Sequence, residues 1–166
     1  MKYDDFIKKY NSSTDKNKFL KKHVTKTYLP YQQKISEAKE IIKRTCYEEL
    51  NGRKIFKQDS PAFFMLFMLR VIANYTDVEF EEGADALAAF NALSESGLLE
   101  PIVLAIPQKE YDTFNTVLQM CKDDEMENYR SLAGFFDTKV DALMMAMNAL
   151  AEETQKVEGN VHTVQS

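Results

Sequence analysis

Apolar residues recur at three- and four-residue intervals along most of this chain, the spacing that gathers them on one side of an α-helix. Tyr3, Phe6, Ile7 and Tyr10 mark a first short amphipathic stretch over 3–10. Asn11-Ser12-Ser13-Thr14 interrupts it, and Ser13 or Thr14 is the expected N-cap of a second short helix over 15–23 carrying Phe19 and Leu20. Pro30 opens a third, over 31–46, with Ile35, Ala38, Ile41, Ile42 and Cys46 on one side and Glu40 and Arg44 paired one turn apart.

The pattern then changes. Asn51-Gly52 lies between two short flanks, and both turn positions tolerate positive φ, so a two-stranded ribbon is predicted over 47–57. Asp59-Ser60-Pro61 reads as a cap followed by proline in the first helical turn. The helix it starts, over 61–75, is apolar nearly all round and should be the central buried one. Thr76 to Gly83 is a charged connector, with extended backbone expected at Val78-Glu79-Phe80. Residues 84–95 favour helix, and Gly97 suits the position just past its end. Pro101 opens a short helical turn over 102–106, and Pro107 a helix running to about residue 127 through Tyr111, Phe114, Val117, Leu118 and Cys121.

A last long helix is predicted over 129–153, with Leu132, Phe135, Phe136, Val140, Leu143, Met144, Met147 and Leu150 facing inward. Residues 154–166 are polar and aperiodic, the signature of a tail. The expected fold class is therefore mainly α: a helical bundle-like single domain of about six to seven helices with one small β-hairpin near residues 47–57. Its expected parts are a Lys-rich N-terminal helical segment (1–30), a helical core domain (31–153) and the polar tail (154–166).

Composition supports this picture. Only five glycines and four prolines punctuate 166 residues, too few for a many-stranded sandwich or barrel. Hydrophobic residues make up 45% and charged residues 28%, enough for a real core. The first five residues carry charge where a signal peptide needs apolar sequence, so no secretion signal is expected. The longest apolar run, Phe63 to Leu69, falls short of the roughly 20 residues of a membrane span, and no membrane partner is expected. Cys46 and Cys121 are the only cysteines; they form no disulfide framework and suit a reducing compartment.

Charge is unevenly spread. Residues 1–76 hold 16 Lys and Arg against 8 Asp and Glu, whereas residues 77–166 hold 5 against 18. The two halves can attract within one chain, copies can stack head to tail, or the basic half can meet an acidic partner; ordinary solvated faces also produce such asymmetry.

Candidate chemistry is sparse. There are two histidines, His23 among lysines and His162 in the tail, and neither forms a defensible Ser–His–Asp or Cys–His pair by spacing. Both cysteines sit on apolar faces as inert thiols. The isolated glycines make neither a phosphate-binding loop nor a dinucleotide fingerprint. The acidic run Asp123-Asp124-Glu125-x-Glu127 spreads around a helix as a solvated surface. No catalytic residue, metal site or cofactor is expected. Lys16, Lys18, Lys21, Lys22 and Lys26 form a candidate polyanion contact, with Tyr3, Tyr10 and Tyr28 interleaved for base stacking; the segment has no arginine for base-edge readout, and the chain as a whole is acidic. The candidate protein-interaction surface is Phe63, Phe64, Phe67 and Met68, from the apolar run, with Met145 and Met147, because methionine also serves adaptable binding surfaces.

The opening Lys2-Tyr-Asp-Asp-Phe-Ile-Lys-Lys-Tyr-Asn11, the joint Phe56-Lys-Gln-Asp-Ser-Pro-Ala62, and Gly97-Leu-Leu-Glu-Pro101 resemble small helical proteins from the structural-gene cassettes of tailed bacteriophages. These strings carry no chemistry, so no functional residue is carried over. The resemblance implies a virion or assembly role at the head–tail junction or tail. Its partners would be further copies or other phage structural proteins, in the host cytoplasm during assembly or in the virion. Two other readings stay open: a small regulatory binder that blocks a host protein, and a nonspecific nucleic-acid-associated protein.

Overall fold

The computed structural model describes residues 1–50, 52–80, 86–131, 136 and 139–149. It is mainly helical with one small antiparallel hairpin, in the order α1 (Tyr3–Ser12), α2 (Lys16–His23), α3 (Tyr31–Thr45), β1 (Tyr47–Leu50), β2 (Arg53–Phe56), α4 (Ser60–Tyr75), α5 (Ala86–Glu95), α6 (Leu99–Ala105) and α7 (Gln108–Arg130). Residues 139–149 are also helical. The chain divides into two compact units, Met1–Asp123 and Asp124–Ser166. The Lys-rich residues 1–30 thus belong to the same unit as α3 to α6, because Phe6, Tyr10 and Leu20 are buried against Leu69, Ile72 and Leu93. The division falls inside α7.

Local chemistry accounts for the element ends. Asp59 Oδ1 accepts from the Ala62 amide at 3.0 Å, and Pro61 fills a position that has no amide to leave unpaired. In α2 the cap is Asp15, whose carboxylate accepts from Lys18 N at 2.9 Å. Ser13 and Thr14 had been the expected caps; α1 runs on to Ser12 and takes up part of that polar linker. Gly97 adopts φ +64 after α5. Its amide donates to Ser94 O, and that of Leu98 donates back to Leu93 O, a paired closure of the helix end that also brings Leu98 and Leu93 into one cluster. In the hairpin, Leu50 pairs with Arg53 and Tyr47 with Phe56, and Gly52 takes φ +74. Downstream, Val24 bridges Thr76 and Lys2 bridges Glu79, so the charged connector begins as extended backbone.

Helix α4 is apolar all round because it has two cores to fill. Phe63, Phe67, Met68, Val71 and Tyr75 join Ala38, Ile41 and Ile42 of α3 and Phe114, Val117 and Leu118 of α7. Leu69 and Ile72 enter a second cluster with α1, α2, α5 and α6. The Phe67 ring lies 5.5 Å from that of Phe114 and 5.5 Å from that of Tyr111. Filling both sides of one helix removes apolar area from water that a helix lying on a single core would leave exposed.

The second unit departs from expectation. In the described part of the last predicted helix, Phe136, Val140, Leu143, Met144 and Met147 are all more than half exposed. The anticipated inward stripe is exposed, because the periodicity that marks a face as apolar does not say what covers it. Leu132, Phe135 and Leu150, and the polar tail, lie outside the described residues.

Candidate interaction surface

The lysine cluster has a simple origin. Helix α2 turns Leu20 and His23 inward, with Phe19 partly buried, which leaves Lys16, Lys18, Lys21 and Lys22 exposed; Lys26 follows, also exposed. The tyrosines do not complete a stacking platform. Tyr10 is buried and carries Lys16 Nζ 5.0 Å from its ring centre. Tyr3 is half-buried, stacked 6.0 Å from Phe80. Only Tyr28 of the three is exposed, and Lys34 Nζ sits 5.3 Å from its ring.

His23 is a structural group. Its Nδ1 lies 2.9 Å from both carboxylate oxygens of Asp77, and its ring packs against Phe6 and Phe19. The contact ties the end of α2 to the segment after α4, and the amide of Asp77 donates to His23 O alongside it.

Glu110, near the start of α7, is a densely connected polar group. Its Oε2 accepts from Lys34 Nζ at 2.7 Å, Tyr75 OH at 2.9 Å and the Leu29 amide at 3.0 Å. Burial alone would raise its pKa, but these three donors together with the Lys34 charge hold it below the ordinary carboxylate value. The same surroundings push the Tyr75 phenol up, first through burial and then through the carboxylate beside it. Gln33 Nε2 donates to Asn74 Oδ1 next door, and Arg70 pairs with Glu37. A depressed carboxylate saturated by donors is a poor proton acceptor, so the cluster clamps α3, α4 and α7.

The four candidate residues from the apolar run separate cleanly. Phe63, Phe67 and Met68 are buried in the first core and offer no surface, since α3 and α7 cover that side of α4. Phe64 is half-exposed, with its ring edge-on to that of Phe90, 6.2 Å away. Met145 and Met147 are both exposed, as an interaction surface needs.

Around those methionines lies the largest apolar display among the described residues. Val140, Leu143, Met144 and Met147 fall at i, i+3, i+4 and i+7 of one helix, and each is more than half exposed. The sequence pattern assigns all four to the interior and leaves Val140, Leu143 and Met144 out of the interaction surface. The 3-4 alternation of 140, 143 and 147, the seam spacing of paired helices, was the available signal.

Other sites are meagre. No group of three His, Cys, Asp or Glu among the described residues could hold a metal ion. Cys46 is fully buried, and burial pushes its thiol pKa up. No single described helix is long and apolar enough to cross a membrane. No protein-family model, curated protein or solved structure matches the chain. The functional reading therefore rests on its own residues.

Proposed function

We propose that this chain is an assembly protein of a tailed-phage particle, acting through protein–protein contacts and not through catalysis. The observation that carries the reading is the exposed apolar face at Val140, Leu143, Met144 and Met147. Contiguous apolar surface of this kind loses free energy in water and recovers it when a partner covers it. The division into a basic first half and an acidic second half adds long-range attraction between successive components. The phage setting comes from the resemblance of the strings at 2–11, 56–62 and 97–101 to structural-cassette proteins.

The test is genetic and biochemical. The gene is disrupted in cells producing the phage that carries it, then restored as wild type or as Leu143→Glu/Met147→Glu. Stalled particles that only the wild type rescues are the expected result. Normal particle yield without the gene overturns the proposal.

A further inference from the structure

We infer that the outward face of α2, formed by Lys18, Lys21 and Lys22, is a docking surface for the phosphate backbone of duplex DNA. The inference stands on this one helix of the first unit and does not depend on the face at 140–147.

Lys18, Lys21 and Lys22 fall at i, i+3 and i+4 of α2, so they share one face, and all three are exposed. Leu20 and His23 are buried on the opposite side, where the His23 ring packs against Phe6 and Phe19. The helix is thus held with these lysines outward. Lys16 stands apart from them, with its Nζ over the Tyr10 ring, and Lys26 follows the helix end. The carboxylates that flank α2 are engaged elsewhere: Asp15 accepts from the Lys18 amide and Asp77 meets His23. Among the described residues, none of the three lysines is ion-paired.

Helix stability does not account for this placement. The first turn of α2 has no acidic residue, although the helix dipole favours one there, and it holds Lys16 and Lys18 instead. Lys18 and Lys22 repel each other across one turn. Lys21 and Lys22 suit the last turn, but four lysines in eight residues leave the helix opposed to itself electrostatically. An anionic partner relieves that opposition.

The composition of the face selects the partner. Protein interfaces are depleted in lysine and enriched in arginine and aromatic residues, and α2 has no arginine, while its one phenylalanine is turned toward the core. Carboxylates are held best by the planar fork of arginine, whereas a lysine serves phosphate as a point charge. Single-stranded nucleic acid needs exposed rings for stacking, but Tyr10 is buried and Tyr3 half-buried. Duplex RNA is recognised through 2′-hydroxyls over successive minor grooves, a span well beyond a helix about 12 Å long. Phosphate neutralisation alone remains, and B-DNA offers one charge per ~1.7 Å of axis without any need for base contacts.

The experiment uses the full chain and a fluorescein-labelled DNA duplex of arbitrary sequence, read by anisotropy. Three phosphate contacts predict a slope of log affinity against log salt of about −2.7, a fall of roughly 40-fold between about 50 and 200 mM salt. Lys18→Gln/Lys21→Gln/Lys22→Gln should lose the binding, and Lys18→Arg/Lys21→Arg/Lys22→Arg should keep it. Lys39→Gln/Lys43→Gln/Lys109→Gln, which removes the same charge from exposed positions of α3 and α7, should bind as the wild type does. All of these positions are exposed, so each variant should keep the wild-type far-UV circular dichroism. No binding at the lowest salt overturns the inference, as does binding that the α2 glutamine variant retains or that the control variant loses equally. Single-stranded DNA, duplex RNA or polyglutamate that binds more tightly than the DNA duplex also overturns it, by naming a different occupant.

Discussion

Replacing Glu110 by Gln keeps the shape of the side chain and one acceptor oxygen but removes the charge opposite Lys34. The Lys34 side chain is 2% exposed and that of Glu110 is 13% exposed. The ammonium would then be buried with no counter-charge. Breaking a buried pair in this way costs about 3–5 kcal/mol, most of it the stranded charge and not the lost attraction. In a chain of this size each kcal/mol lowers Tm by about 2–4 °C, so a fall on the order of 10 °C is expected. Lys34→Met alone should also destabilise, since it leaves Oε2 with two neutral donors. The pair Glu110→Gln/Lys34→Met should recover much of the loss, because the Gln carbonyl can still accept from Tyr75 OH and the Leu29 amide. Urea unfolding followed by circular dichroism gives the cycle. Acid supplies an independent arm. A carboxyl whose folded pKa is depressed stabilises the fold above its unfolded value, and that contribution disappears as pH falls through the folded one. Wild-type stability should therefore drop on acidification below the ordinary carboxylate value of 4.5, and Glu110→Gln should flatten that limb. A Glu110→Gln protein within about 1 kcal/mol of wild type, or two effects that simply add, refutes the argument.

Asp59→Ala removes the cap of the central helix and is expected to cost about 1 kcal/mol in chemical denaturation, whereas Asp59→Asn should restore most of it. Gly97→Ala should cost about 1 kcal/mol through its φ of +64 alone, since a Cβ there meets nothing within 4 Å; a stabilised variant would contradict the geometry. With a thiol reagent at pH 8, Cys46 should react at the rate of unfolding, because it is fully buried and its pKa is raised. Rapid labelling of both thiols in the native state would count against that packing.

Much of the architecture is written in short-range signals. Asp59-Ser60-Pro61, Gly52 and Gly97 each combine a required backbone geometry with the residue that tolerates it, and the structure uses all three. Glu40 and Arg44 meet at 2.6 Å one turn apart, as their spacing implies. What stayed hidden depends on distant contacts. The Lys34–Glu110 pair spans 76 residues, and His23–Asp77 spans 54. Neither has a local pattern that separates it from the many solvated charges around it. The run from Phe63 to Leu69 announced a buried helix, but only the arrangement of α3, α5, α6 and α7 decides that Phe64 is the side chain left outside. The opposite error occurred at 140–147. There an apolar stripe was assigned to the interior, although periodicity reports only that a face seeks cover, and the cover can belong to another chain.

An isolated helix of this length is marginal in water, so its stability is itself a report on contact. Amide hydrogen exchange of residues 139–149, compared between the isolated protein and the protein in assembled particles, therefore tests the central claim most directly. Protection gained in the particles, and lost together with particle assembly in Leu143→Glu/Met147→Glu, is the result this account requires. Exchange that is the same in both states contradicts it.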